Sequence, residues 1–250
     1  MAGHVLEDDN LSPSSIAGAH PVSACAAPSC SDPQVFCSLH RVGRKSYRQT
    51  LDLQLSLVSQ CQRGEIAAAL VVVEHDPVIT KGAGAKNYNL LLSEARLNEL
   101  GISVVQTDRG GDVTYHGPGQ VVAYPILNLR RLGLDVHGYL RKLEDVVIAT
   151  LSEYGLEGFR HGPAGVWVGD RKVCSIGVAV RRSVTYHGLA LNVATDMAHF
   201  SYINPCGLAA SQVTSISEIL GRAVDVGEVT STLTRSFESV FGVKMSGCEG

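Results

Sequence analysis

The chain has 250 residues, 45% of them apolar, enough for one sizeable core plus a tail. A formal net charge of −3 and a sequence pI near 6.3 argue against a general nucleic-acid binder, which needs clustered positive charge. No apolar run reaches the length of a membrane span, and seven cysteines scattered without a disulfide-framework spacing point to a reducing compartment.

Residues 1–40 lack Lys and Arg and carry Glu7, Asp8, Asp9 and Asp32, which fits neither a basic secretory n-region nor an Arg-rich transit peptide. Their Ser, Ala and Pro content predicts a disordered leader over 1–34, ahead of a single domain over 35–245. Cys25, Cys30 and Cys37 match no standard zinc spacing, so no metal is expected there.

Tyr47, Leu51, Leu55 and Val58 recur at helical intervals and predict an amphipathic helix near 44–62. Ala67–Glu74 is a continuous apolar run that reads as a buried strand, ended or diverted by Pro77. Ser93 caps a short helix stopped by Gly101, and Ile102–Gln106 reads as a strand. The segment Arg109–Gln120 then packs four glycines among Arg, Thr, His and Gln. Glycine lets backbone N–H groups approach a ligand, and the polar residues supply directional hydrogen bonds, so the run reads as a binding loop or, alternatively, as a Gly-rich hairpin.

Gln120–Leu129 is strand-like despite Pro125, which predicts an edge position or a bulge. Asp135 caps a long helix with a Leu140, Leu143, Val147, Leu151 stripe. Gly165–Val168 and Lys172–Val180 form a hairpin across Gly169-Asp170, and Thr185–Val193 is a further strand. Val229, Leu233, Phe237 and Val240 mark the last helix. The mixture predicts an α+β fold, a mixed β-sheet with flanking helices. Arg130-Arg131, Arg141-Lys142 and Arg181-Arg182 are either solvated surface or a patch for an acidic partner.

Two side chains stand out for chemistry. Cys206 lies in Asn204-Pro205-Cys206-Gly207, a stiff turn that suits a nucleophile, whereas Cys61 and Cys174 sit among apolar neighbours. A thiol with a pKa of about 8.5 needs a positive neighbour to become a nucleophile, and Lys172 is the candidate. His116 and His187 are ligand contacts, alternative bases or satisfied core residues. One conflict is visible: in a regular strand Lys172 and Ser175 point to opposite faces, so a bulge is required if both reach one ligand. The segment Gly82-Ala83-Gly84-Ala85-Lys86-Asn87 lacks the pattern of a phosphate loop.

In order, these segments resemble the lipoyl(octanoyl) transferase (LipB) family. The resemblance is carried by Arg109–Gln120 with Tyr124, Glu74-His75-Asp76-Pro77-Val78 and Gly165-Val166-Trp167-Val168 with Asp170-Arg171-Lys172-Val173. It extends to His187-Gly188-Leu189-Ala190-Leu191-Asn192 and Asn204-Pro205-Cys206-Gly207. It implies the fold of biotin and lipoate protein ligases and, in the cytoplasm, transfer of octanoyl from acyl carrier protein to a lysine of apo lipoyl domains. Such acceptors include the glycine cleavage H protein and 2-oxoacid dehydrogenase E2 subunits. It further implies Cys206 as the acyl-thioester nucleophile and Lys172 as the group that lowers its pKa and moves protons. Arg109, Gly110, Gly111, Asp112, Val113, Thr114, Tyr115 and His116 would bind substrate, together with Ser175, Ile176, Gly177, Gly188, Leu189 and Ala190. No cofactor or metal is implied. The rival readings are an ATP-using lipoate protein ligase on the same fold and a non-catalytic docking module.

Overall fold

The computed structural model of the chain describes residues 35–162, 164–204 and 210–249. The expected leader over 1–34 and Cys206 lie outside the described residues.

The domain opens on a strand, β1 (Val35–Lys45), that periodicity did not reveal because its burial follows no regular alternation. Helix α1 (Tyr47–Arg63) begins at Ser46, whose hydroxyl accepts from the Gln49 N–H, and stops at Gly64 with φ of 78°. Strands β2 (Ala68–His75) and β3 (Val78–Lys81) flank Pro77, which diverts the chain from one sheet to another. Helix α2 (Glu94–Glu99) is capped by Ser93 as expected, and β4 (Ser103–Gln106) follows.

The Gly-rich run contains its own strand, β5 (Val113–His116), before β6 (Gln120–Leu127) and helix α3 (Val136–Ser152), which Asp135 caps. The hairpin arrives as β8 (Gly165–Val168) and β9 (Arg171–Arg181), preceded by the short β7 (Phe159–Arg160). Strand β10 (Val184–Asn192), helices α4 (Ile216–Leu220) and α5 (Val226–Phe241) and a final strand β11 (Val243–Glu249) complete the chain order.

Eight strands form one mixed sheet in the order β11-β1-β2-β6-β10-β9-β8-β7, and β4-β3-β5 form a second. β1 runs parallel to β2 and β11, while β2, β6, β10, β9 and β8 are antiparallel neighbours. Alternate residues of the large sheet bury on opposite sides: Leu70, Val121 and Leu191 against α3 and α5, and Val71, Val122 and Ala190 against α1.

Pro125 corrects the expectation of an edge position, because β6 is central. The Pro125 and Leu127 backbone edge faces β10, and there the two strands separate beyond the Leu189–Ala123 pair. The buried Thr185 hydroxyl fills the gap, donating to Pro125 O at 2.8 Å and accepting from Leu127 N at 3.0 Å. The missing proline N–H is thereby tolerated without an unsatisfied partner.

Candidate active site

The Gly-rich loop is held on all sides by backbone. Gly82 N, Ala83 N and Gly84 N donate to Asp112 O, Arg109 O and Gly111 O at 2.9–3.1 Å, and Gly110 N donates to Val178 O of β9. Two glycines are required by contact: a Cβ at Gly177 would stand 2.8 Å from Gly110 O, and one at Gly82 would lie 2.9 Å from the Arg109 guanidinium. The Gly82–Gly84 turn, which lacks the pattern of a phosphate loop, is therefore the brace of the Gly-rich loop. Its signal was the spacing of its glycines.

Arg109 is buried and reaches Thr80, donating to its carbonyl at 2.8 Å and to its hydroxyl at 2.9 Å, and it also donates to Asp112 O at 2.7 Å. Thr80 passes its own proton toward His116 Nε2 at 3.3 Å, and His116 Nδ1 donates to Gln120 Oε1 at 2.8 Å. Gln120 in turn donates to Asn192, which donates to Thr214 O. Burial first, then the charges of His75 and Arg109, hold the His116 pKa well below the usual imidazole value. His116 is a neutral link in a satisfied chain, which favours that reading over a base.

Between the Gly-rich loop and the large sheet lies a trough, part of it open to solvent. Arg109, Gly111, Val113, Thr114 and His116 form its roof. Ser175, Ile176 and Gly177 of β9, and Gly188, Leu189 and Ala190 of β10, form its bed. Gly188 pairs with Gly177 and Ala190 with Ser175, so small residues face one another across two strands and leave room for a linear group. Tyr47, Val122, Tyr124 and His187 also line it.

Three expected ligand residues do not line the trough. Gly110 spends its N–H on β9. Tyr115 packs into the core of the small sheet on the same face of β5 as the Val113 side chain, stacked on His199 at 4.8 Å. The Asp112 carboxylate points to Asn89 and accepts from the Lys86 and Val113 N–H groups, so it ties down the 86–89 turn.

His187 adopts φ of 55°, a left-handed conformation that side chains visit at a cost of about 1 kcal/mol or more. It does so where β10 has parted from β6, and its N–H goes to Gln54 of α1. Regular alternation between Tyr186 and Gly188 would send its ring to the far side of the sheet. Instead it lies on the α1 side, with Nδ1 3.1 Å from Tyr47 Oη and Nε2 2.9 Å from Asp108 Oδ1. Burial keeps its pKa low, opposed by the Asp108 carboxylate. Burial would raise the Asp108 pKa, but hydrogen bonds from Tyr186 and His187 together bring it below the usual carboxylate value.

His75 completes this layer. Nδ1 donates to Lys45 O and Nε2 accepts from Tyr124 Oη at 2.7 Å, and burial takes its pKa to about 4.

Lys172 stands at the other end of the trough, 3% exposed, with Nζ donating to Ala164 O at 3.2 Å. The conflict over its direction is resolved by a bulge. Val166 pairs with Cys174 but Trp167 pairs with Lys172, so β9 carries one extra residue. Val173 and Cys174 consecutively bury on the α3 side, and Lys172 and Ser175 both reach the trough. Gly165, with φ of 149°, makes room for the lysine arm: a Cβ there would stand 2.5 Å from Lys172 Cε.

Cys174, the nearest described cysteine in sequence, faces the core, and burial raises its pKa to about 12 despite the lysine nearby. The described residues on either side of Cys206 are held by backbone hydrogen bonds, one of them to Lys172. Asn204 N donates to Asn89 O, and Thr214 N donates to Lys172 O.

The family model of the lipoyl protein ligase A/B catalytic domain matches residues 46–238. An octanoyltransferase of Alkaliphilus metalliredigens is 48% identical over 80% of this chain and 93% of its own. That of Solibacter usitatus is 46% identical over 84% and 94%. Among solved structures, a bipartite lipoate protein ligase from Thermoplasma acidophilum, at 18% identity, superposes with a TM-score of 0.66 over 87% of each chain, a likeness of fold. The chain therefore belongs to the lipoyl protein ligase A/B catalytic domain family and, within it, to the octanoyltransferases, which are acyltransferase enzymes.

Proposed function

We propose that this octanoyltransferase moves octanoyl from the thioester of acyl carrier protein to a lysine of an apo lipoyl domain through an acyl-thioester on Cys206, with Lys172 as the proton carrier. The acceptors are lipoyl domains such as those of 2-oxoacid dehydrogenase E2 subunits and the glycine cleavage H protein, in the cytoplasm. The observation that carries this reading is Lys172 itself, a buried lysine aimed by a bulge and a glycine into one end of the trough.

The chemistry then closes on itself. The Cys206 thiolate, favoured by the Lys172 ammonium, attacks the donor thioester; the carbonyl–sulfur bond to the carrier breaks, and Lys172 gives its proton to the departing thiolate. Lys172 is left as an amine. The acceptor lysine, arriving as the free amine, attacks the Cys206 thioester; its surplus proton passes to Lys172, and the thiolate and ammonium are restored. Exchange between thiols is nearly isoenergetic and the final amide is stable, so no nucleotide is consumed.

Cys174 is a poor rival nucleophile because its thiol is buried and its pKa raised. A ligase reading would require ATP. The test is incubation with octanoyl-acyl carrier protein and an apo lipoyl domain without ATP. Octanoylated acceptor is the expected result, and product only when ATP and free acid are supplied would replace transferase by ligase.

A further inference from the structure

Resting on that transferase reading, we infer that Tyr47, held by His187 and through it by Asp108, is the closed end of the acyl channel and sets the length of the chain the enzyme accepts. The strand register places the two ends. Lys172 and Gly177 are five residues apart on β9, roughly 15 Å at the rise of a strand. Gly188 and Tyr124 sit level with Gly177 on the neighbouring strands, and His187 follows next to them. An acyl group whose carbonyl lies near Lys172 runs over Ser175 and Ala190 toward Gly177. Eight carbons at about 1.5 Å per bond, extended, reach less than about 11 Å, and the contact distance of about 4 Å that the terminal methyl needs takes up the remainder, so an octanoyl chain meets this wall and a longer one does not fit in front of it.

The wall is built to stay closed. Tyr47 comes from the first turn of α1, His187 from β10 and Asp108 from the start of the Gly-rich loop, so three elements are joined through one imidazole. Both ring nitrogens of His187 and His116 and the Tyr124 hydroxyl already have partners. Ring centroids of Tyr47 lie 5.3 Å from His75, 6.1 Å from His116 and 6.4 Å from His187, leaving a layered surface rather than a passage. A longer chain must part hydrogen-bonded pairs or leave its last methylenes outside. The left-handed backbone of His187 is what brings the ring to this position.

The experiment compares octanoyl, decanoyl and dodecanoyl thioesters of acyl carrier protein as donors to an apo lipoyl domain, by intact mass of the acceptor. The wild-type chain should lose roughly tenfold or more in kcat/KM between eight and twelve carbons, as methylenes lose burial. Tyr47→Ala should raise the twelve-to-eight ratio about tenfold. His187→Gly removes the ring but suits the left-handed backbone, so it should fold and shift the ratio the same way. An unchanged ratio in both folded variants, with octanoyl still transferred, overturns the ruler and leaves the transferase reading intact. A wild-type chain that transferred no acyl group would overturn that reading and the ruler with it.

Discussion

The two ends of the trough are built on opposite principles. At the Tyr47 end, tyrosines and histidines are locked pairwise, and His75, His116 and His187 are all held neutral by burial. At the other end one lysine is delivered by a bulged strand, with a glycine opposite that leaves its arm room. Titratable groups alone therefore do not mark the reacting centre here. Histidines, the usual acid–base residues, are locked into one end, while the proton carrier proposed above is a lysine whose direction a bulge in β9 sets.

Lys172→Ala tests that division most severely. Loss of a positioned acid–base group should lower octanoyl transfer by about 10²–10⁴-fold with the fold retained by circular dichroism. The acylation pH profile should also move upward as the thiolate loses its positive neighbour. A loss under tenfold with an unmoved profile would remove Lys172 from the mechanism.

Acidification probes the opposite end. The folded pKa of His75 lies near 4, below its unfolded value of about 6.5, so the unfolded chain binds the extra proton first. Stability should be full above pH 6.5 and fall as pH drops from 6.5 to 4, by about 3 kcal/mol for His75. Urea titrations at stepped pH measure this, and His75→Gln should flatten the slope. Gly165→Ala should act on both activity and stability: its Cβ would stand 2.4 Å from the Cys174 carbonyl oxygen and 2.5 Å from the lysine arm, in a backbone region that favours glycine, so roughly tenfold lower kcat with a clear loss of Tm is the outcome. Smallest is Thr185→Val, which leaves Pro125 O and Leu127 N without a partner and should cost about 1–3 kcal/mol in stability.

Much of this was legible in the sequence because the signals are local. The caps at Ser93 and Asp135, the turn at Gly169-Asp170 and the stripe of α5 are each determined within a few residues, and the structure has all four. Most of the positions expected to bind substrate line one trough, because glycines and small residues on paired strands leave open space between them.

What was not legible depends on partners distant in sequence. β1 and β11 exist because they pair with each other and with β2, not because of their own periodicity. Pro125 sits in a central strand because Thr185, sixty residues away, supplies the missing partner. Asp112 read as a ligand contact, but Asn89 and two backbone N–H groups claim it. The conformation of His187 has no signal in the residue type, because it follows from the parting of β10 and β6.

The central claim is that acyl transfer at this site runs through one cysteine, and it is most directly tested by intact-mass analysis after incubation with octanoyl-acyl carrier protein in the absence of acceptor. The account predicts a single octanoyl adduct, mapped to Cys206 by peptide analysis, lost in Cys206→Ser and retained in Cys174→Ser. An adduct that persists in Cys206→Ser, or that maps to Cys174, would contradict it.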